Sequence, residues 1–167
     1  LTLTLTLALP LALALGAVAA VYCNSLGGPF HLDDEHSITG NPAVRSLANV
    51  GRFFTDPQTF SRNQGSGMFR PLVVLSYAAN YSLGGYGPRG YHAVNVGLHL
   101  AVVGLLYGLL RQLGSTRELA GLGAALFGLN PLASEPVHYI SSRSECMALV
   151  FALASVILYL RRTSARG

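Results

Sequence analysis

Hydrophobic residues in this chain fall into long blocks separated by one long polar segment and by short polar links. The first block, 1–23, consists mainly of Leu, Ala, Thr and Val. About 20 helical residues cross a hydrocarbon core of ~30 Å. The Leu–Thr alternation at its start is typical of a strand, but a lone strand would leave its backbone unpaired in lipid. We therefore predict a membrane helix, in preference to a signal peptide, since no basic residue precedes the block.

Three later blocks have the same apolar character, and the sequence predicts an all-α, polytopic membrane helix bundle. A long external loop follows the first helix and carries two short surface helices. One of them begins at Asn41-Pro42, because Asn is a good N-cap and Pro suits the first helical position. The predicted elements of this single membrane domain (1–167) are membrane helices at 1–23, 91–113, 117–132 and 135–161, and loop helices near 42–55 and 71–83.

Composition supports a membrane protein over a soluble one. The chain is 51% hydrophobic and only 11% charged, whereas soluble domains average about 25% charged residues. The net charge is +4, but the arginines are scattered, which does not favour a nucleic-acid partner. Two cysteines imply neither a disulfide framework nor a zinc site. The chain begins with Leu1 and ends shortly after an apolar block, so we expect it to be a fragment of a longer protein.

The arginines predict the orientation of the bundle. Two short Arg-rich links, 111–117 and 161–166, fall on one side of the membrane under alternating topology. Positive charge marks the cytoplasmic side. The external loop and the turn at Glu135 are therefore expected on the opposite side, which is periplasmic in a bacterial inner membrane or lumenal in the endoplasmic reticulum.

Charged and polar side chains gather on that predicted outer side. Asp33 and Asp34 follow the first helix directly, and Glu135 opens the last one. A carboxylate can accept the proton of a hydroxyl group, and an arginine can hold a phosphate. These parts suggest transfer chemistry at a phosphate-bearing substrate. The candidate catalytic residues are Asp33, Asp34 and Glu135, and the candidate substrate- or phosphate-binding residues are Arg70, His92, His138 and Arg143.

Each candidate has a less specific interpretation. The acidic loop could be a solvated segment that stops the first helix from sliding into the membrane. His92, Asn95 and His99 share one helix face, and such stripes often serve interhelical packing. A metal site built from His31, Asp33 and His36 is a further alternative, so the metal stays unknown and a divalent cation is a candidate cofactor.

Several motifs together resemble the transmembrane and tetratricopeptide-repeat O-mannosyltransferase family, including its bacterial relatives. They occur in the family's order, with similar gaps, between about Tyr22 and Leu160. The motifs are Tyr22-x-Asn24-Ser25-Leu26-x-Gly28-x-Phe30-x-x-Asp33-Asp34, Phe69-Arg70-Pro71-Leu72 with Leu75-Ser76-Tyr77 and Asn80-Tyr81, Gly90-Tyr91-His92-x-x-Asn95-x-x-Leu98-His99, Leu129-Asn130-Pro131 with Glu135-x-Val137, and Ile140-Ser141-x-Arg143-Ser144-Glu145.

The resemblance implies the membrane portion of a GT-C type glycosyltransferase. Such enzymes move a sugar, typically mannose, from a polyprenyl-phosphate carrier in the bilayer to a Ser or Thr hydroxyl of an acceptor protein on the non-cytoplasmic side. The family's acidic pair in the first external loop corresponds to Asp33 and Asp34, and its second-loop acid to Glu135. Two histidines that the family often carries before that acid are replaced here, and Glu145 stands where the family often has Asp.

We therefore expect inverting sugar transfer, with Asp33 the better candidate for the base. Arg70 or Arg143 would hold the carrier phosphate. The later membrane helices and the tetratricopeptide repeats of the family do not occur within 1–167, so this portion alone is expected to be inactive. The alternative is a non-enzymatic membrane scaffold or transporter fragment whose acidic loop binds a cation or a partner.

Overall fold

The computed structural model describes residues 2–63, 65 and 68–164. These residues form helices and turns without any strand, which confirms the all-α prediction. Leu1, where the first predicted helix begins, lies outside the described residues. The α-helices are α1 (Thr2–Tyr22), α2 (Val50–Phe53), α3 (Pro71–Gly84), α4 (Pro88–Gln112), α5 (Arg117–Gly128), α6 (Glu135–His138) and α7 (Arg143–Ser164).

Three segments of the described chain are long and apolar enough to cross a membrane: Leu9–Gly27, Pro88–Gln112 and Ile140–Thr163. The predicted membrane segment 117–132 differs, because α5 has only 12 residues. A helix of that length is ~18 Å long, well short of a ~30 Å core. The helix ends because Asn130 caps a separate 3₁₀ turn, Pro131–Ala133, by accepting a hydrogen bond from the Leu132 N–H.

Helix α4 lies at the centre of the bundle and packs against α1, α5 and α7. A buried cluster of Val18, Tyr22, Val103, Ala124 and Val137 joins α1, α4, α5 and α6. Helices α1 and α5 approach closely because α5 presents a glycine there. A Cβ atom added at Gly121 would lie 2.7 Å from Pro10 Cβ and 3.1 Å from the Pro10 carbonyl oxygen.

The predicted external loop is a folded cap with its own hydrophobic core. Helix α3 supplies Val73, Val74 and Tyr77 to this core, and residues from the preceding loop, from the first turn of α4 and from the α6–α7 junction complete it. The core therefore ties the cap to the start of α7. Its buried members are Ile38, Val44, Phe53, Phe60, Val73, Val74, Tyr77, Ala78, Tyr91 and Ile140.

Two predicted helices are interrupted in the structure. The segment near 42–55 is not one amphipathic helix but three short pieces: 3₁₀ turns at Pro42–Arg45 and Leu47–Asn49, then α2. Ser46 is extended between them, and its side chain caps the second turn. The segment 135–161 is broken at Tyr139, whose φ of −107° and ψ of 110° are extended. A 3₁₀ turn, Ile140–Ser142, then leads into α7.

Candidate functional site

The turn that follows α1 carries the acidic residues. A 3₁₀ helix, Cys23–Gly27, ends the first apolar segment, and a π-helix, Glu35–Thr39, begins just after the two aspartates. Between them Leu32 has a φ of 40°, a left-handed conformation that is costly for a residue with a branched side chain. Backbone N–H groups of Asp34 and Glu35 bond back to the carbonyls of His31 and Leu32, which closes the turn.

The two adjacent aspartates have opposite environments. Asp34 is completely buried. One of its carboxylate oxygens accepts the N–H of His31 at 3.0 Å, and the other accepts the N–H of Ser141 at 2.8 Å. Asp33 keeps 64% of its side chain exposed, and its Oδ1 lies 3.4 Å from His36 Nε2. Asp34 therefore joins the first loop to the α6–α7 junction, and Asp33 is free to meet a substrate.

Arg143 anchors the first turn of α7 from the interior. Its side chain has no exposed surface. The guanidinium donates hydrogen bonds to the Asn95 side chain at 2.7 Å and to the Tyr91 carbonyl at 2.9 Å. It also donates to the Asn80 side chain at 2.9 Å and to Ser76 Oγ at 3.0 Å. This expected phosphate ligand thus lies in the packed interior, where it holds α3, α4 and α7 together.

Tyr77 covers the same guanidinium within the cap core. The Arg143 guanidinium carbon lies 4.9 Å from the centre of the Tyr77 ring. The Tyr77 hydroxyl donates a hydrogen bond to the Ile140 carbonyl at 3.3 Å. Burial raises the pKa of the Tyr77 phenol far above its ordinary value, and the nearby Arg143 opposes this only in part. Tyr77 therefore stays neutral and supports the α6–α7 junction.

A cavity of about 330 Å³ opens between the acidic loop, the start of α3 and the start of α7. Asp33 and Arg70, two of the expected site residues, both line it. The cavity brings together a carboxylate, an imidazole, a guanidinium and several hydroxyl groups. Its lining residues are Asp33, His36, Ser37, Phe60, Met68, Arg70, Tyr139, Ser141, Ser142, Ser144 and Glu145.

Arg70 lies at the junction of this cavity with an apolar groove. Its Nη1 donates a hydrogen bond to Ser144 Oγ at 3.1 Å, and its guanidinium carbon lies 5.5 Å from the centre of the Phe60 ring. The adjoining groove has a volume of about 500 Å³ and runs between α3 and α7. Arg70, Ser144 and Glu145 line both, and the remaining groove residues are Pro71, Leu72, Val73, Met147, Ala148 and Phe151.

The other expected residues lie around the cavity rather than in it. Glu135 is exposed, and its Oε1 lies 3.4 Å from the hydroxyl of Ser142, which does line the cavity. His138 is exposed on α6, with its ring 5.7 Å from that of Tyr22. His92 is buried with Nδ1 3.4 Å from the Val137 carbonyl oxygen. A Cβ atom on Gly28 would lie 3.0 Å from its Nε2, so His92 packs α4 against the first loop.

A three-residue metal site does not form at His31, Asp33 and His36. Within the described ranges, no group of three or more His, Cys, Asp or Glu could hold a metal ion. His36 instead bridges two polar neighbours, since its Nδ1 lies 3.0 Å from Ser61 Oγ and its Nε2 faces Asp33.

Two ionisable residues of the cavity, Glu145 and Tyr139, were not among the site residues predicted from the sequence. Glu145 lies on a predicted common face with Glu135, His138 and Ser142, at spacings of 3, 4 and 3, but this pattern alone does not assign it a role. Tyr139 gave no signal, because a lone tyrosine at a helix break has no distinctive pattern. Its hydroxyl oxygen accepts the Asp33 N–H at 2.9 Å, across 106 positions of sequence.

The fold and cavity define a polytopic, all-α membrane protein with a polar chamber at the capped end of its helices. The chain is similar over most of its length to protein O-mannosyl-transferases from animals. It is 36% identical to tmtc2 of Xenopus laevis over 153 residues, which is 88% of this chain and 18% of the relative. It is 36% identical to Tmtc1 of Drosophila melanogaster over 146 residues, 84% of this chain and 17% of the relative.

The human relative TMTC1 is 35% identical over 151 residues, covering 87% of this chain and 17% of that protein. No family model and no solved structure matches the chain. The aligned part of the chain spans less than a fifth of the length of these curated relatives. Its homologues are protein O-mannosyl-transferases of the TMTC type, which supports the family inferred from the motifs.

Proposed function

We propose that this chain forms part of a GT-C type membrane glycosyltransferase that transfers a sugar, most simply mannose, to Ser or Thr hydroxyls of a protein. The observation that carries the proposal is the shared cavity: Asp33 and Arg70, which chemistry assigns to the acceptor proton and the donor phosphate, line the same 330 Å³ space. The names of the similar proteins agree with this activity.

The donor in this proposal is a polyprenyl-phosphate sugar. Its phosphate would bind Arg70, which is the cavity's arginine and is half-buried against Phe60. Guanidinium groups hold phosphate oxygens with charge-assisted hydrogen bonds. The polyprenyl chain would follow the apolar groove between α3 and α7, which begins at Arg70. A lipid-linked donor needs this combination of a charged site and an adjoining apolar path.

The transfer step then requires one base and one leaving-group partner. Asp33 takes the proton from the acceptor hydroxyl as its oxygen bonds to the anomeric carbon of the sugar. The bond from that carbon to the phosphate oxygen breaks, and the phosphate leaves with the electron pair, held by Arg70. Attack on the face opposite the phosphate inverts the anomeric configuration. The released proton is taken up by Asp33 and the negative charge of the phosphate is stabilised by Arg70, and both groups line the cavity.

The remaining candidates have supporting roles in this proposal. Asp34, which is buried between two backbone N–H groups, positions the loop that carries Asp33. Arg143 and His92 hold the elements around the cavity. Glu135 and His138, both exposed next to it, would contact the acceptor protein. The cavity would face the periplasm or the lumen, and a divalent cation stays a candidate cofactor with no assigned ligands.

The test is the Asp33→Asn variant in the longest reading frame that contains this chain, with sugar transfer measured in isolated membranes. We expect at least a ~100-fold loss, since general base catalysis contributes ~10²–10⁴-fold. Asp56→Asn is the matched control, because Asp56 is an aspartate of the cap that lies outside the cavity and Asn keeps its capping role. Full transfer by Asp33→Asn would refute the proposal and favour the scaffold alternative.

A further inference from the structure

Tyr139 is the one extended residue between α6 and the 3₁₀ turn that precedes α7. Its backbone is held on both sides, because its N–H bonds to the Glu135 carbonyl and its own carbonyl accepts the Ser142 N–H. The Asn95 side chain, itself fixed by Arg143, lies 3.4 Å from the same carbonyl oxygen. The Tyr139 side chain therefore extends into the cavity from a rigid base.

The hydroxyl of Tyr139 contacts the backbone of the proposed base. It accepts the N–H of Asp33 at 2.9 Å, although the two residues are far apart in sequence. The Asp33 carbonyl is also bonded, since it accepts a hydrogen bond from Ser37 Oγ at 2.6 Å. The Asp33 main chain is thus held on one side by its own loop and on the other by Tyr139.

The turn that Tyr139 contacts is strained. Leu32, which directly precedes Asp33, has a φ of 40° and an 84% exposed side chain. An exposed leucine gains nothing from packing in this conformation, so the turn needs external support to keep it. Among the described residues, two long-range hydrogen bonds give such support: the Asp33 N–H donates to the Tyr139 hydroxyl, and the Ser141 N–H donates to the Asp34 carboxylate.

We infer that Tyr139 is a positioning residue whose hydroxyl holds the strained turn at Leu32 and thereby directs the Asp33 carboxylate into the cavity. This inference rests on the proposed function. Loss of the hydroxyl lets the turn relax toward an unstrained φ, which moves the base away from the acceptor oxygen. Small displacements of a reacting group are expensive, since ~1 Å can cost about 100-fold in rate.

The first test is Tyr139→Phe in the longest reading frame that contains this chain. We expect kcat to fall about 10- to 100-fold while KM for the lipid-linked donor changes less than about 2-fold, because donor binding does not involve the turn. Tyr86→Phe is the matched control. It also removes a tyrosine hydroxyl that accepts a hydrogen bond, from Arg45 at 2.7 Å, but outside the cavity.

The second test distinguishes positioning from direct contact with substrate. Asn tolerates a positive φ better than Leu, so Leu32→Asn should stabilise the turn without the tyrosine. We expect Leu32→Asn to restore at least a few-fold of kcat in the Tyr139→Phe background. No recovery would overturn the inference, because a hydroxyl that acts on the substrate cannot be replaced by relieving strain at Leu32.

A third measurement does not depend on activity. The Asp33 amide should exchange its hydrogen with solvent at least several-fold faster in Tyr139→Phe, read from the peptide that contains it, and at an unchanged rate in Tyr86→Phe. Unchanged exchange in Tyr139→Phe would contradict the inference. If Asp33→Asn abolishes transfer while Tyr139→Phe leaves it intact, only this inference fails. If Asp33→Asn retains full transfer, the proposed function fails.

Discussion

At the scale of single residues, Asp33 and Asp34 have the same chemistry and are separated by one peptide bond, yet only one reaches the cavity. Asp34 is buried and accepts two backbone N–H groups. Asp33 is mostly exposed beside His36. We therefore expect substitution of Asp34 to lower stability and substitution of Asp33 to lower transfer activity.

We expect Asp34→Asn to lower the free energy of unfolding by about 1–3 kcal/mol, because the new amide group would face a backbone N–H donor and leave it unpaired. Asp33→Asn should change it by less than ~0.5 kcal/mol, since that side chain is exposed. Thermal unfolding of the purified protein in detergent, followed by circular dichroism, measures both. Equal unfolding temperatures for the two variants would contradict the role of Asp34 as a tie between loops.

At the scale of elements, the bundle depends on how closely α5 approaches α1. Helix α5 is too short to span a membrane, so its place depends on packing rather than on its own length. Gly121 allows this contact, because a side chain there would meet the rigid ring and the backbone of Pro10. Small residues at such contacts are typical of membrane helices.

Gly121→Ala should destabilise the bundle by about 1–3 kcal/mol, because the added methyl group overlaps a proline that cannot rotate away. Gly97→Ala is the matched control. Gly97 lies within α4 with nothing within 4 Å of an added Cβ, so alanine there should be neutral or stabilise by up to ~1 kcal/mol. Thermal unfolding compares the two. An unchanged unfolding temperature for Gly121→Ala would show that α1 and α5 do not pack this closely.

At the scale of the whole molecule, the arrangement is a bundle with a folded cap and a polar chamber at one end. The basic residues Arg111, Arg117, Arg161 and Arg162 lie at helix ends away from that chamber. The positive-inside rule then predicts that the chamber lies on the non-cytoplasmic side. The proposed transfer to proteins that have crossed the membrane would require this orientation.

Single cysteines test this orientation in a Cys23→Ser background, which removes the exposed native thiol and leaves the buried Cys146. We expect Thr55→Cys in the cap to react with a membrane-impermeant maleimide on intact cells or sealed right-side-out vesicles. Leu113→Cys, in the exposed α4–α5 link, should react only after the membrane is permeabilised. Labelling of Leu113→Cys but not of Thr55→Cys before permeabilisation would contradict the proposed topology.

The sequence by itself determined the helical, membrane-bound character of the chain and the approximate place of its acidic residues. Apolar runs and N-caps are local features of the sequence. An apolar run that crosses lipid must form a helix, because its backbone hydrogen bonds have no other partners there. The short length of the segment that forms α5 was apparent from the sequence, but its end at Gly128 and the interruption at Tyr139 were not, because both depend on packing and capping by neighbouring segments.

Only the tertiary structure decided which candidates share the cavity. Asp33 and Arg70 both line it, whereas Arg143, equally basic in the sequence, is buried against two helices, α3 and α4, that satisfy its hydrogen bonds. The burial of these side chains and their long-range hydrogen bonds depend on segments about a hundred residues apart in sequence. No local sequence pattern predicts such contacts. The physical reason is that a charged group such as Arg143, fully enclosed and hydrogen-bonded by the fold, cannot reach a substrate, whereas Asp33 and Arg70 keep surface that faces the cavity.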